Sequence, residues 1–158
     1  MGGKITYRLI EDKDMEFLYQ VYASTREEEL AQVNWDAAQK EEFLRMQFKA
    51  QHQHYQRYYA EAQYSIIIVD RVPAGRLYLD RRKDEIRIID IALLPAYRGQ
   101  GLGTSILEDI QAEGRKNGLP VRIHVEQFNP AMKLYAKLGF KKICDVGVYN
   151  LMEWVPEK

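Results

Sequence analysis

The chain has 158 residues, and Lys plus Arg and Asp plus Glu each number 23, so its formal net charge is zero. That length suits one domain, residues 1–158, with enough chain to bury a substantial core. The charge balance argues against nucleic acid as a partner, because phosphate neutralisation needs a concentrated basic surface. No run of about 18 apolar residues offers a membrane span, and no basic-then-apolar start reads as a signal peptide; the expectation is a soluble, cytoplasmic protein. The single cysteine, Cys144, leaves no disulfide within the chain and no Cys cluster for zinc. It lies in an alternating apolar segment and is expected to be a buried, inert thiol.

Residues 4–10 alternate Ile5, Tyr7 and Leu9 with Thr6, Arg8 and Ile10, the pattern of a short strand. Glu11-Asp12-Lys13-Asp14 supplies acidic helix-start residues ahead of Phe17, Leu18, Val21 and Tyr22 at helical spacing, and Ser24-Thr25-Arg26-Glu27-Glu28-Glu29 breaks that helix. A long helix is predicted from Asp36, its N-cap, to about Tyr59, with Phe43, Met46, Phe48 and Ala50 along it. Residues 64–69 and 76–80 read as strands joined by the turn Asp70-Arg71-Val72-Pro73-Ala74-Gly75. After the charged turn Arg81-Arg82-Lys83-Asp84, residues 85–93 are rich in β-branched side chains, the composition of a largely buried strand.

A glycine turn, Arg98-Gly99-Gln100-Gly101-Leu102-Gly103, then opens a helix in which Leu102, Ile106, Leu107 and Ile110 share a stripe. Glycines there let backbone N–H groups close around an anion, and the helix N-terminus adds its positive dipole end. The pattern is that of a phosphate seat, although a tight strand-to-helix turn needs nothing more. The lysine and Ser/Thr of a nucleoside triphosphate loop are missing, and the dinucleotide fingerprint spaces its glycines differently. Asn117-Gly118-Leu119-Pro120 stops the helix; residues 121–126 form another strand; Asn129-Pro130 starts a helix with Ala131, Leu134, Tyr135 and Leu138 on one stripe, capped by Gly139. Residues 140–155 read as two strands around Asp145-Val146-Gly147, the last of them a candidate dimer edge. The order β α α β β β α β α β β predicts an α+β fold: a mixed, mostly antiparallel sheet with one parallel crossover.

Two of these segments carry a resemblance. Arg98-Gly99-Gln100-Gly101-Leu102-Gly103 resembles the (Arg/Gln)-x-x-Gly-x-(Gly/Ala) turn of the GNAT superfamily of acyl-CoA-dependent N-acyltransferases. Asn129-Pro130-Ala131, Tyr135 and Leu138-Gly139-Phe140 resemble its second hallmark, with Ala131 one position early and Met132 where the family usually has Ala. The resemblance implies a GNAT-like fold, a six- or seven-stranded sheet flanked by about four helices. It also implies acetyl-CoA as co-substrate and no metal. By that resemblance Arg98, Gly99, Gln100, Gly101, Leu102, Gly103 and Thr104 hold the coenzyme pyrophosphate, Leu93 and Leu94 pair with its pantetheine arm, and Asn129 contacts it from the next helix.

The implied reaction is acetyl transfer to a primary amine of a small molecule or peptide by direct attack in a ternary complex. The resemblance makes Tyr135 the general acid; a phenol with a reference pKa near 10 can protonate a departing thiolate. A strand N–H near Leu93 would meet the thioester oxygen. The base is open. Arg87 and Ile89 cannot serve, and Asp90 falls on the opposite face by alternation, where it is expected to pair with a cation. His124, on the next strand, has a suitable reference pKa near 6.5, Glu126 is weaker, and a water relay needs no dedicated base. Glu27, Glu28 and Glu29 could attract a cationic amine or simply form a solvated helix end. Tyr55, Tyr58 and Tyr59 could line a cleft or the core, and His52 and His54 are wrongly spaced for metal. A non-catalytic acyl-CoA-binding module of the same fold is the alternative.

Overall fold

The computed structural model describes residues 4–127 and 129–157. Among these residues seven strands form one sheet in the order β1-β2-β3-β4-β5-β7-β6. They are β1 (Ile5–Leu9), β2 (Gln63–Val69), β3 (Val72–Arg81), β4 (Ile86–Leu93), β5 (Val121–Glu126), β6 (Lys141–Val146) and β7 (Tyr149–Trp154). Every pairing is antiparallel except β4 with β5, the strands joined by a helical crossover. Among the described residues five α-helices flank the sheet: α1 (Met15–Ser24), α2 (Glu27–Ala31), α3 (Ala37–Tyr58), α4 (Leu102–Asn117) and α5 (Met132–Lys137).

Two hydrophobic layers follow from strand alternation. On one face, Leu77, Leu79, Ile86, Ile88, Val121, Ile123 and Val125 meet Leu102, Ile106, Leu107 and Ile110 of α4, with Tyr135 and Phe140 beside them. Each buried aliphatic residue of that stripe contributes about 1.5–3 kcal/mol, so packing rather than propensity holds α4. The other face carries α1 to α3 through Leu18, Tyr19, Tyr22, Leu30, Leu44, Phe48 and Ile66.

The expected helix signals are realised. The Asp36 carboxylate accepts from the Gln39 N–H at 2.8 Å and the Gln39 side chain returns the bond, starting α3. Gly118, in the left-handed region, ends α4. The Tyr64 hydroxyl lies 2.8 Å from both the Tyr55 and Tyr59 carbonyls and closes the far end of α3.

Three expectations are corrected. Glu27 to Glu29 do not merely break α1; they open α2, with Arg26 bonded to Glu29 at 3.0 Å. The sheet edge is β6, while β7 lies inside, between β5 and β6. Cys144 is exposed, because every residue of β6 is exposed and the alternation there has no layer to face.

Candidate active site

The site begins with an irregularity in β4. Directly opposed residues of an antiparallel pair share a face. β3 and β4 pair as Asp80↔Arg87 and Leu79↔Ile88, then as Tyr78↔Asp90, Leu77↔Ile91 and Gly75↔Leu93, leaving Ile89 as the extra residue of a bulge. The apolar face of β4 therefore steps from Ile86 and Ile88 to Ile91 and Leu93. Asp90 comes round to the face of Arg76, Tyr78 and Arg87, under α1 and α3. Alternation without the bulge puts Asp90 on the other side, so that expectation is corrected. Its cation partner is present: Asp90 forms an ion pair with Arg76, which is buried and also bonds Gln51 of α3 at 2.9 Å.

Immediately beyond this point the sheet opens. β4 and β5 pair only at Ile86↔Val121, Arg87↔Arg122 and Ile88↔Ile123. β4 runs on against β3 to Leu93, and β5 runs on against β7 to Glu126. Two strand edges thus face each other across a wedge, with backbone groups aimed into it.

The glycine turn closes the broad end of this wedge. Residues 95–97 make one 3-10 turn, and Gly99 (φ 71°) and Gly101 (φ 81°) then take the left-handed conformation before α4 starts. Neither would crowd a Cβ, so what glycine supplies at both is the backbone angle. Among the described residues no side chain caps α4, and the amides of its first turn, from Leu102 through Gly103 and Thr104, have no intrahelical acceptors. The open amides and the dipole fit an anionic phosphate group.

The side chains of Arg98 and Gln100 brace the turn. The Arg98 Nε donates to the Leu93 carbonyl at 2.9 Å and its Nη2 to Ser24 Oγ at 3.0 Å, fastening the turn to β4 and α1. The Gln100 side chain bonds the Ala96 carbonyl at 2.7 Å. Leu94 gives its N–H to Ala74 O at 2.8 Å. Asn129 Oδ1 accepts from the Ala131 N–H at 2.8 Å and so shapes the entry to α5.

Tyr135 projects from α5 into the core, edge-on to Phe140 with ring centroids 5.6 Å apart. Burial, and then the negative charge of Asp90, push its phenol well above the usual tyrosine range. The hydroxyl therefore stays protonated, and Asp90 and Tyr135 lie within electrostatic reach of one another. His124 stands on β5 with Nδ1 3.3 Å from Arg87 Nη1. Burial and the Arg87 charge hold its pKa below the ordinary value, favouring neutral imidazole. Arg87 itself is tied to buried Glu85, which also bonds Arg82 and Arg122 at 3.1 Å each. Pattern reading missed this knot of ion pairs, whose members come from two strands and a turn.

The remaining candidates divide. Tyr55 stacks edge-on against Tyr78 at 5.9 Å, Tyr64 against Tyr78 at 4.8 Å, and Tyr58 is exposed. Glu126 lies 3.9 Å from Arg26. His52 stacks on Phe48, and His54 lies tilted against Tyr58 with ring centroids 4.6 Å apart. Among the described residues no group of three His, Cys, Asp or Glu could hold a metal, and no helix is long and apolar enough to cross a membrane.

The chain's residues 17–140 match the model of the acetyltransferase (GNAT) family. The chain belongs to that family. Its fold is similar to crystal structures of several acetyltransferases. The PaiA N-acetyltransferase of Thermoplasma acidophilum, solved in complex with coenzyme A, superposes with a TM-score of 0.71 at 19% identity, covering 96% of this chain and 99% of that one. An acetyltransferase from Thermus thermophilus gives 0.65 at 19% identity, with 98% of both chains covered. Ard1 from Thermoplasma volcanium gives 0.63 at 17%, covering 98% and 99%.

Proposed function

We propose that the chain is an N-acetyltransferase that moves the acetyl group of acetyl-CoA onto a primary amine by direct attack in a ternary complex. The observation that carries this reading is the conjunction of an anion-binding turn, a wedge between parallel strands and a buried, protonated tyrosine. The amides of residues 101–104 receive the pyrophosphate, and the unpaired edges beyond Ile88 and Ile123 receive the extended arm. That the related PaiA enzyme was crystallised with coenzyme A supports this assignment.

The neutral amine attacks the thioester carbonyl, and a strand N–H near Leu93 meets the oxygen as it gains charge. The C–N bond forms, the C–S bond breaks, and the thiolate takes the phenolic proton of Tyr135. The nitrogen loses its proton to His124, directly or through water; depressed basicity keeps that imidazole neutral and able to accept. Replacing Tyr135 with Phe tests the scheme: kcat should fall by about 10²–10⁴, the usual worth of a positioned acid, while affinity for CoA is retained. Unchanged kcat across a panel of amines would remove Tyr135 from the chemistry. Coenzyme binding with no turnover by any amine would identify a binding module instead.

A further inference from the structure

A second irregularity of the sheet lies beside the end of β4. Against β2, β3 pairs as Ile67↔Gly75 and then as Ile68↔Pro73, which leaves Ala74 as the extra residue of a bulge. Gly75, next to it, is buried and stands opposite Leu93 on its other flank. A Cβ on Gly75 would overlap the Ala92 carbonyl oxygen, and would stand 3.0 Å from Leu93 Cα and 3.1 Å from the Ala92 carbonyl carbon. Glycine is therefore required here by the close approach of another backbone. The Ala92 carbonyl occupies the space in which any other residue would carry its side chain.

The directions of the neighbouring peptides follow from one bond. Leu94 gives its N–H to Ala74 O at 2.8 Å, so that group points at β3. Backbone groups of successive strand residues point to opposite sides. Leu93 therefore turns its N–H and carbonyl away from β3, to the side where β5 no longer pairs. Arg98 Nε takes the Leu93 carbonyl at 2.9 Å, and the Leu93 N–H looks into the wedge. A trans peptide is planar, so the Ala92 carbonyl and the Leu93 N–H point in opposite directions. Seating the one against Gly75 aims the other. The next peptide is held at both ends, its N–H by Ala74 and its carbonyl by Arg98. Ser24 in turn accepts from Arg98 Nη2 at 3.0 Å, and its buried hydroxyl donates to Val21 O at 2.7 Å.

Resting on the acetyltransferase reading above, we propose that Gly75 and, through Arg98, Ser24 are positioning residues that aim the Leu93 N–H at the thioester oxygen. Neither touches the reacting atoms. A donor that meets developing charge is effective because its direction is fixed beforehand, and a misplacement of about 1 Å costs about a hundredfold in rate. A methyl group on Gly75 must displace the Ala92 carbonyl, which is backbone and cannot swing aside as a side chain does. Tilting that peptide turns the Leu93 N–H out of line. Removing the Ser24 hydroxyl frees one end of Arg98 and loosens the Leu93 carbonyl that it holds.

The test reads the infrared band of acetyl-CoA labelled with carbon-13 at the thioester carbonyl and bound without acceptor. A hydrogen bond to that oxygen lowers the band, so wild-type protein should shift it below its position for the free coenzyme in buffer. Gly75→Ala should abolish most of the shift and lower kcat by about 10²–10³, the worth of one oxyanion donor. Its affinity for CoA, set at the glycine turn, should stay within about threefold, so that the loss falls on kcat. Ser24→Ala should lose part of the shift and about threefold to tenfold in kcat, and it decides the matter if Gly75→Ala does not fold. The wild-type band in either folded variant would make these residues merely structural and overturn the proposal. So would an unshifted band in the wild type, or a kcat loss matched by an equal loss of CoA affinity. The band needs no turnover: if no amine is acetylated the acetyltransferase reading fails, and the shift still decides whether Gly75 and Ser24 aim the donor.

Discussion

Substituting Gly101 by Gln and by Glu separates two roles of one residue. Gly101 sits at φ 81° with open space where a Cβ would project. Either substitution therefore costs the left-handed penalty of about 1–2 kcal/mol in stability without a clash. The two side chains have nearly the same size, so their difference isolates charge. A carboxylate within about 4 Å of a bound phosphate is repelled by about 4 kcal/mol at an effective dielectric near 20, and by about 1 kcal/mol if water fills the gap. CoA affinity should then be about fivefold to a thousandfold weaker for Gly101→Glu than for Gly101→Gln. Isothermal titration with CoA measures it, and 1 M NaCl, with a screening length of about 3 Å, should narrow the gap. Equal affinities for the two variants at low salt would show that no phosphate sits at this turn.

Two further outcomes follow from the geometry. If His124 is the base, as proposed, it accepts the proton as neutral imidazole, and with burial and Arg87 both lowering its pKa the acid limb of kcat/KM should lie below pH 6.5. Arg87→Gln should move that limb upward, and a pH–rate profile of His124→Gln that keeps it unchanged would assign deprotonation to water. Gly114→Ala should cost about 1–3 kcal/mol in urea unfolding, because its Cβ would stand 2.8 Å from the Leu119 carbonyl oxygen and 2.9 Å from Trp154 Cζ3. Undiminished stability would mean that α4 rides further from β5 and β7.

The glycine turn and its helix are legible because their signals are local: left-handed glycines, a four-residue apolar stripe and Gly118 as the stop. Tyr135 is legible for the same reason, its stripe and Gly139 cap being written in consecutive turns. Strict alternation misplaces Asp90 although a trace of the bulge is in the sequence. The apolar positions 86, 88, 91 and 93 contain one step of three, and a period of two cannot accommodate it. The Arg76 contacts and the Glu85 knot depend on which strands become neighbours, so no window of sequence holds them. Alternation misleads at Cys144 because it reports two faces without saying whether anything covers either.

The three register pairs between β4 and β5 also have a mechanical meaning. Among the described residues they are the strand ladder between a four-strand plate, β1 to β4, and a three-strand plate, β5, β7 and β6, extended by the Ile86 N–H to the Pro120 carbonyl at 2.9 Å and by the Glu85–Arg122 ion pair. Parting the plates breaks few backbone bonds, although the α4 layer spans the line beneath them. The molecule is thus weakest along the line proposed to hold the coenzyme arm. An extended ligand lodged there acts as a rivet, bonding both plates at once, and its binding energy counts directly toward folding. Amides along the inner edges of β4 and β5 should be among the first in the sheet to exchange with solvent and among those most slowed by the coenzyme.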